Sequence, residues 1–350
     1  MENVNFLYDL FGKNIITVII VICLPLVFVL VYALIAILAE LKISAWIQER
    51  LGPMRTGPWG ILQPIAEVVK LLQKEDITPT NASKLLYNLA PFIIFTGAYA
   101  AFAVIPFSQY FVPSGINLGL FYIFAIGSIS AIGLVMGGWA SNNKYSLMGA
   151  LRSVGQLISY EIPAAMAILS IVVLSSSMNM QVINQAQTGW FWNWYLFGGP
   201  GTIAKIWVIP FTMVLCLIYF ISSLAETNRV PFDIPEGESE LVAGFHTEYS
   251  GMKFAMFFFA EYANMFVVAA ILTTIFLGGW NSPFNTFMQG PIWGSFWFVA
   301  KACSIVIVQI WIRWTLPRFR VDQLMYVGWK VLLPISFICF MAISLFVMLK

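Results

Sequence analysis

The chain has 350 residues, 60% hydrophobic and only 10% charged, with a mean hydropathy of +0.85. Soluble domains carry about 25% charge, and a chain this apolar cannot cover its surface with polar groups in water. The length alone allows two or three soluble domains; the composition excludes them. The formal net charge of +2, without a basic run, gives no footprint for nucleic acid.

A membrane-spanning helix needs about 20 mostly apolar residues. Eight segments qualify: 15–39, 89–107, 118–139, 154–176, 203–225, 254–277, 292–314 and 327–349. An open sheet would leave unpaired backbone groups in lipid. A barrel would show alternating strands of about 10 residues, and these runs are too uniformly apolar for that. The sequence therefore predicts an all-α polytopic membrane protein, one integral membrane domain over 1–350, with loops at 40–88, 140–153, 226–253 and 315–326. The first apolar run, with Asp9 in its flank, exceeds a signal core and is expected to stay in the mature protein. Segment 178–202 is broken by Gly198, Gly199, Pro200 and Gly201, so no ninth span is expected.

Fourteen Lys and Arg fall in the odd loops. Three (Lys13, Lys205 and Lys350) fall in the tails and even loops, and Lys301 lies inside the seventh span. Positive residues stay on the cytoplasmic side, so the odd loops face the cytoplasm or matrix and both termini face outward. Cys23, Cys216, Cys303 and Cys339 sit in apolar segments with no metal-ligand spacing, and His246 is the single histidine. The chain has no haem pair, iron–sulfur set, zinc set or glycine-rich nucleotide loop. Any electrons for redox chemistry must arrive from another chain. No internal repeat is visible, which weakens an inverted-repeat transporter.

Ionisable residues inside spans are costly and point to function. Glu161 and Glu261 each lie about two turns into a span, while Glu40 and Glu226 end spans on the same side. Carboxylate side chains are too short to snorkel two turns, so these acids are expected to form a chain of proton sites, with Lys301 as a further member. In the first loop, Ile61, Ile65, Val68 and Leu72 recur at helical spacing, with Gln63, Glu67, Lys70 and Lys74 opposite. That pattern predicts a short amphipathic helix lying on the membrane. The glycines and prolines at 52–60 suggest a shaped rim before it. The third loop carries Glu226, Asp233, Glu236, Glu238, Glu240 and Glu248 against Arg229, broken by Pro231 and Pro235. It is either a solvated acidic loop or a docking surface and proton antenna. Gly133 and Gly137 permit close helix packing.

These loops carry a resemblance. Gln48-Glu49-Arg50-Leu51-Gly52-Pro53, Gly57-Pro58-Trp59-Gly60, Ser159-Tyr160-Glu161, Glu226-Thr227-Asn228-Arg229-Val230-Pro231-Phe232-Asp233, Glu236-Gly237-Glu238-Ser239-Glu240, Phe259-Ala260-Glu261-Tyr262 and Arg318-Phe319-Arg320 stand in the order of one family. The chain resembles the H-type membrane component of respiratory complex I, NADH:quinone oxidoreductase (subunit 1 in mitochondria). The resemblance implies a translocase subunit that anchors the peripheral redox arm and forms the quinone entrance and part of the quinone chamber. Glu40, Arg50, Trp59 and Glu67 would border that entrance. Glu161, Glu226, Arg229, Asp233, Glu236, Glu238, Glu240, Glu248 and Glu261, with Lys301, would carry the proton connection.

The resemblance also implies the company the chain keeps. The substrate would be ubiquinone or menaquinone. NADH, FMN and iron–sulfur clusters would reside in partner subunits, among them the carrier of the terminal cluster and the quinone-pocket subunit beside it. A bacterial inner membrane, with periplasmic termini, fits better than a mitochondrial one. Leu41 and Met54 depart from the family, where Arg and Asn are usual. An ion-coupled transporter or channel would also account for eight spans and buried acids, but would not need so acidic a loop. Purification alone, rather than with many different chains, would favour that alternative.

Overall fold

The computed structural model describes residues 12, 14–200, 205–235, 237–285, 288 and 290–349. All regular structure among them is helical: α1 (Ile15–Ile47), α2 (Gln63–Gln73), α3 (Lys84–Ala101), α4 (Gly119–Ala140), α5 (Lys144–Ser175), α6 (Met180–Ala186), α7 (Lys205–Glu226), α8 (Glu238–Leu241), α9 (Gly251–Phe276), α10 (Pro291–Thr315), α11 (Val321–Tyr326) and α12 (Leu333–Met348). A π-helical stretch, Val327–Leu332, joins the last two. Among the described residues, seven helices are long and apolar enough to cross a membrane: α1, α4, α5, α7, α9, α10 and the α11–α12 run. The remaining expected span corresponds to α3, which has only 18 residues and carries Lys84, Tyr87 and Asn88 in its first turns.

Several helices run past the expected spans because polar residues continue them. α1 extends to Ile47, so Glu40 lies inside it rather than at its end. α5 starts at Lys144, capped by Asn143, whose Oδ1 accepts from the Tyr145 amide at 2.9 Å. Glu161 is therefore 17 residues into its helix, which begins ten residues before the expected span. α3 instead stops early, at Ala101, where the chain tightens into i→i+3 bonds at Ala103 and Val104. The expected amphipathic helix is α2, with Ile65, Val69 and Leu72 exposed along it.

α9 is the central element. Every residue from 265 to 276 is buried. Phe266 is its hub: its ring meets those of Phe28 and Tyr32 from α1, Phe102 after α3, Phe107, and Phe298 from α10, at 4.8–6.5 Å. Edge-to-face and stacked aromatic pairs of this kind stabilise beyond their buried area. α1 touches this core by a narrow stripe, Thr17, Val21, Pro25, Val29, Ala33, Ala36, Glu40 and Ser44, while Ile15, Ile16, Ile19 and Ile22 are exposed. On α4, Gly133 lets Ile94 of α3 approach so closely that a Cβ would lie 2.5 Å from its Cγ1. This is the close packing its spacing predicts.

Candidate functional site

The first part of the loop after α7, up to Pro235, is packed rather than solvated. Thr227, Asn228, Arg229, Phe232 and Asp233 are buried. Phe232 packs between Tyr160 and Phe319 (5.1 and 5.6 Å), and the Phe319 amide donates to the Pro231 carbonyl at 3.1 Å. This packing aims successive side chains into two places.

The first is a cavity of about 360 Å³ enclosed by α3, α4, α5, α7 and α9. Glu161 of α5, Glu226 at the end of α7 and Glu261 of α9 line it, with Tyr219, Thr227, Asn228 and Asn264. The remaining lining includes Ile94, Ile123, Leu134 and Phe257. Glu161, Glu226 and Glu261 thus share one largely apolar space. Carboxyls coupled in a low-dielectric space exchange protons as a group rather than singly. Gln156 steadies the Asn228 wall, its Nε2 donating to the Ala225 carbonyl at 2.8 Å and to Asn228 Oδ1 at 3.3 Å.

The second is a buried ion network at Glu40. Its carboxylate accepts from Arg229 Nη1 (3.2 and 3.4 Å), from the Tyr262 hydroxyl (2.7 Å) and from Arg313 Nη1. The Arg229 guanidinium also lies 4.7 Å from the centre of the Tyr262 ring. Asn228 and Arg229 are neighbours in sequence, as are Glu261 and Tyr262; each pair places one residue in the cavity and one in this network. Nearby, Arg318 Nη2 pairs with Asp233 Oδ2 at 2.9 Å. In the sequence Arg313 counts only toward orientation, Arg318 and Tyr262 stand within the motifs of the resemblance, and Gln156 is not singled out. An arginine ending a span opposite a buried glutamate was the available signal.

The other candidates are dispersed. Glu240 pairs with Arg152 at 2.6 Å on the surface, and Glu248 accepts from Asn143 Nδ2 at 2.6 Å. Glu236 and the Glu238 side chain lie outside the described residues. Arg50 donates through Nε to Gln48 at 2.6 Å, Trp59 is 75% exposed, and Glu67 accepts from Gln63 at 3.0 Å. These three belong to the rim and to α2, whereas Glu40 is held in its network with Arg229, Tyr262 and Arg313. Met54 places its sulfur 3.3 Å from Lys42 Nζ, which donates to the Pro53 carbonyl at 2.7 Å and holds the rim. Lys301 joins neither group of acids; its ammonium is bonded to carbonyls at the far end of α9.

His246 sits apart in a box formed by Phe245, Phe254 and Phe258 at 4.8–6.1 Å. Burial pushes its pKa down to about 4. Among the described residues, no group of three His, Cys, Asp or Glu is arranged to hold a metal.

Helices long and apolar enough to cross a membrane, a carboxylate-lined cavity between them and an adjoining arginine network define a polytopic membrane protein with charged groups inside its helix bundle. Residues 18–344 match the family model described as NADH dehydrogenase. A Chlorobaculum parvum protein, named as the H component of NADH-quinone oxidoreductase, is 52% identical over 340 residues, 94% of this chain and 92% of that one. A Chlorobium luteolum protein of the same name is 53% identical over 328 residues, 91% and 86% of the two chains. A Cytophaga hutchinsonii protein, named as a second H component of the same enzyme, is 43% identical over 347 residues, 90% and 95% of the two. The chain belongs to the NADH dehydrogenase family, as an H-type membrane subunit of complex I.

Proposed function

We propose that this subunit forms the quinone entrance and part of the quinone chamber, anchors the peripheral redox arm, and couples quinone reduction to proton translocation. The observation that carries the reading is the cavity in which Glu161, Glu226 and Glu261 meet beside the Glu40–Arg229–Arg313 network. Arg50, Trp59 and Glu67 flank the entrance, where the exposed apolar residues of α2 meet lipid and the isoprenoid tail. Glu40 acts behind that rim, with its arginines. The substrate is a quinone. NADH, FMN and the iron–sulfur clusters belong to partner subunits, and the complex sits in a bacterial plasma membrane with both termini outward.

The test uses Glu161→Gln and Glu261→Gln in membranes containing the whole complex. Each removes a titrating proton and keeps shape and hydrogen bonding. Quinone reduction and proton pumping fall together by about 10-fold or more, the scale of a lost proton-transfer group. NADH oxidation by an artificial acceptor, which takes electrons upstream, is retained. Normal coupled activity in both variants leaves the carboxylates a structural role only.

A further inference from the structure

Lys301 lies ten residues into α10. Its ammonium donates to three carbonyls of the chain leaving α9: Leu277 at 2.7 Å, Gly279 at 3.1 Å and Asn281 at 2.7 Å. It also stands 4.1 Å from the centre of the Trp194 ring. These carbonyls belong to the turn just beyond α9, beside the negative end of the helix dipole. At a buried helix end, a cation is the fitting counterpart.

The turn around the ammonium is clamped from both sides. Gly278 and Gly279 have φ of +74° and +52°. The Trp194 indole lies against Gly278 and the Asn184 amide against Gly279, so closely that a Cβ would come within 2.4 and 2.2 Å of them. Gln187 donates to the Thr274 carbonyl at 2.9 Å and accepts from the Gly278 amide at 3.0 Å. Asn281 donates to the Asn184 carbonyl at 2.7 Å.

Glu261 and Tyr262 lie on the same helix, 16 and 15 residues before Leu277, about 24 Å along its axis at 1.5 Å per residue. Between them, 265–276 is buried on every side. A close-packed interior transmits displacement rather than absorbing it. We propose that Lys301 is a positioning residue: its ammonium holds the far end of α9 and thereby sets the level at which Glu261 enters the cavity and Tyr262 meets Glu40. The inference rests on the proton-coupling reading above.

The experiment compares Lys301→Met, which fills the space without donors, with Lys301→Arg, which keeps charge and donors. Both are measured in membranes containing the whole complex. The readouts are the ratio of quinone reduction to artificial-acceptor reduction and the pH profile of quinone reduction. Lys301→Met lowers the ratio about tenfold, within the range of coupling through packed elements, and displaces the pH profile; Lys301→Arg restores most of both. An unchanged profile in Lys301→Met, or equal losses in the two variants, overturns the proposal. If Lys301→Met does not assemble, Trp194→Leu decides. It removes the ring beside the ammonium but leaves the ammonium on its three carbonyls, so the proposal expects a profile close to the parent's, and a loss as large as that of Glu261→Gln overturns it. Glu261→Gln, run in parallel, separates the two readings. Normal coupling in Glu261→Gln removes the proton-coupling reading. Loss in Glu261→Gln with a normal Lys301→Met removes only this one.

Discussion

At Glu40, one carboxylate satisfies two guanidinium groups and a phenol, and the whole group is largely out of water. Removing one partner of a buried pair strands the other charge, at a cost of about 3–5 kcal/mol. A lost hydrogen bond to a charged group costs about 1.5–3 kcal/mol. Arg229→Met should therefore destabilise the purified complex more than Tyr262→Phe, read as the larger drop in Tm under one set of conditions. His246 has a different pH signature. Its pKa is lowered from the ordinary 6.5 to about 4 by burial, so an unfolded chain takes up a proton below pH 6.5 that the folded chain refuses until about pH 4. Stability falls as pH drops through that window, by roughly 3 kcal/mol at its lower end. His246→Gln should shrink the Tm difference between about pH 7.5 and about pH 5, which straddle the onset of that window. An equal difference in the two proteins would mean that other groups set the acid sensitivity.

Among the elements, α5 offers an internal comparison. Gly149 faces the backbone of Gly244 and Phe245, where a Cβ would lie 2.8–2.9 Å from main-chain atoms. Gly155, on the same helix, faces open space. Gly149→Ala should cost about 1–3 kcal/mol through overpacking. Gly155→Ala should be neutral or stabilise by up to about 1 kcal/mol, the helix preference for alanine over glycine. Thermal unfolding of the two complexes distinguishes them, and equal effects would mean that the contact between α5 and the 244–245 backbone is loose. Each expected span falls on a helix, and several of those helices end elsewhere than the apolar run does. Hydropathy marks where lipid contact is possible, whereas helix ends are set by caps such as Asn143 and by polar stretches that remain helical, such as Lys144 to Arg152. The acids of the site were legible because a buried carboxylate is conspicuous in an apolar segment. Arg229 stood out among those acids, but Arg313 and Arg318 did not, lying near a helix end where positive charge is commonplace. Pairing across more than 80 residues, as between Asp233 and Arg318, leaves no mark in the local pattern.

For the molecule as a whole, orientation rests on charge. The tails lie outside if the basic loops lie inside. Single cysteines placed in the segment before Ile15 and after Met348 should both react with an impermeant thiol reagent added from the periplasm, while one in the 52–57 rim should not. Labelling of only one terminus would mean that α3 does not cross the membrane and that the number of spans is odd. The buried character of α9 also bears on how the protein is made. Its far end offers carbonyls at Leu277, Gly279 and Asn281 whose ammonium partner is Lys301, 20 residues beyond the last of them. As the chain leaves the ribosome, α1, α3 and α7 are already available to α9, but its closing cation has not yet been synthesised. The helix bundle is thus completed backwards: α10, arriving later, secures the end of the helix that preceded it.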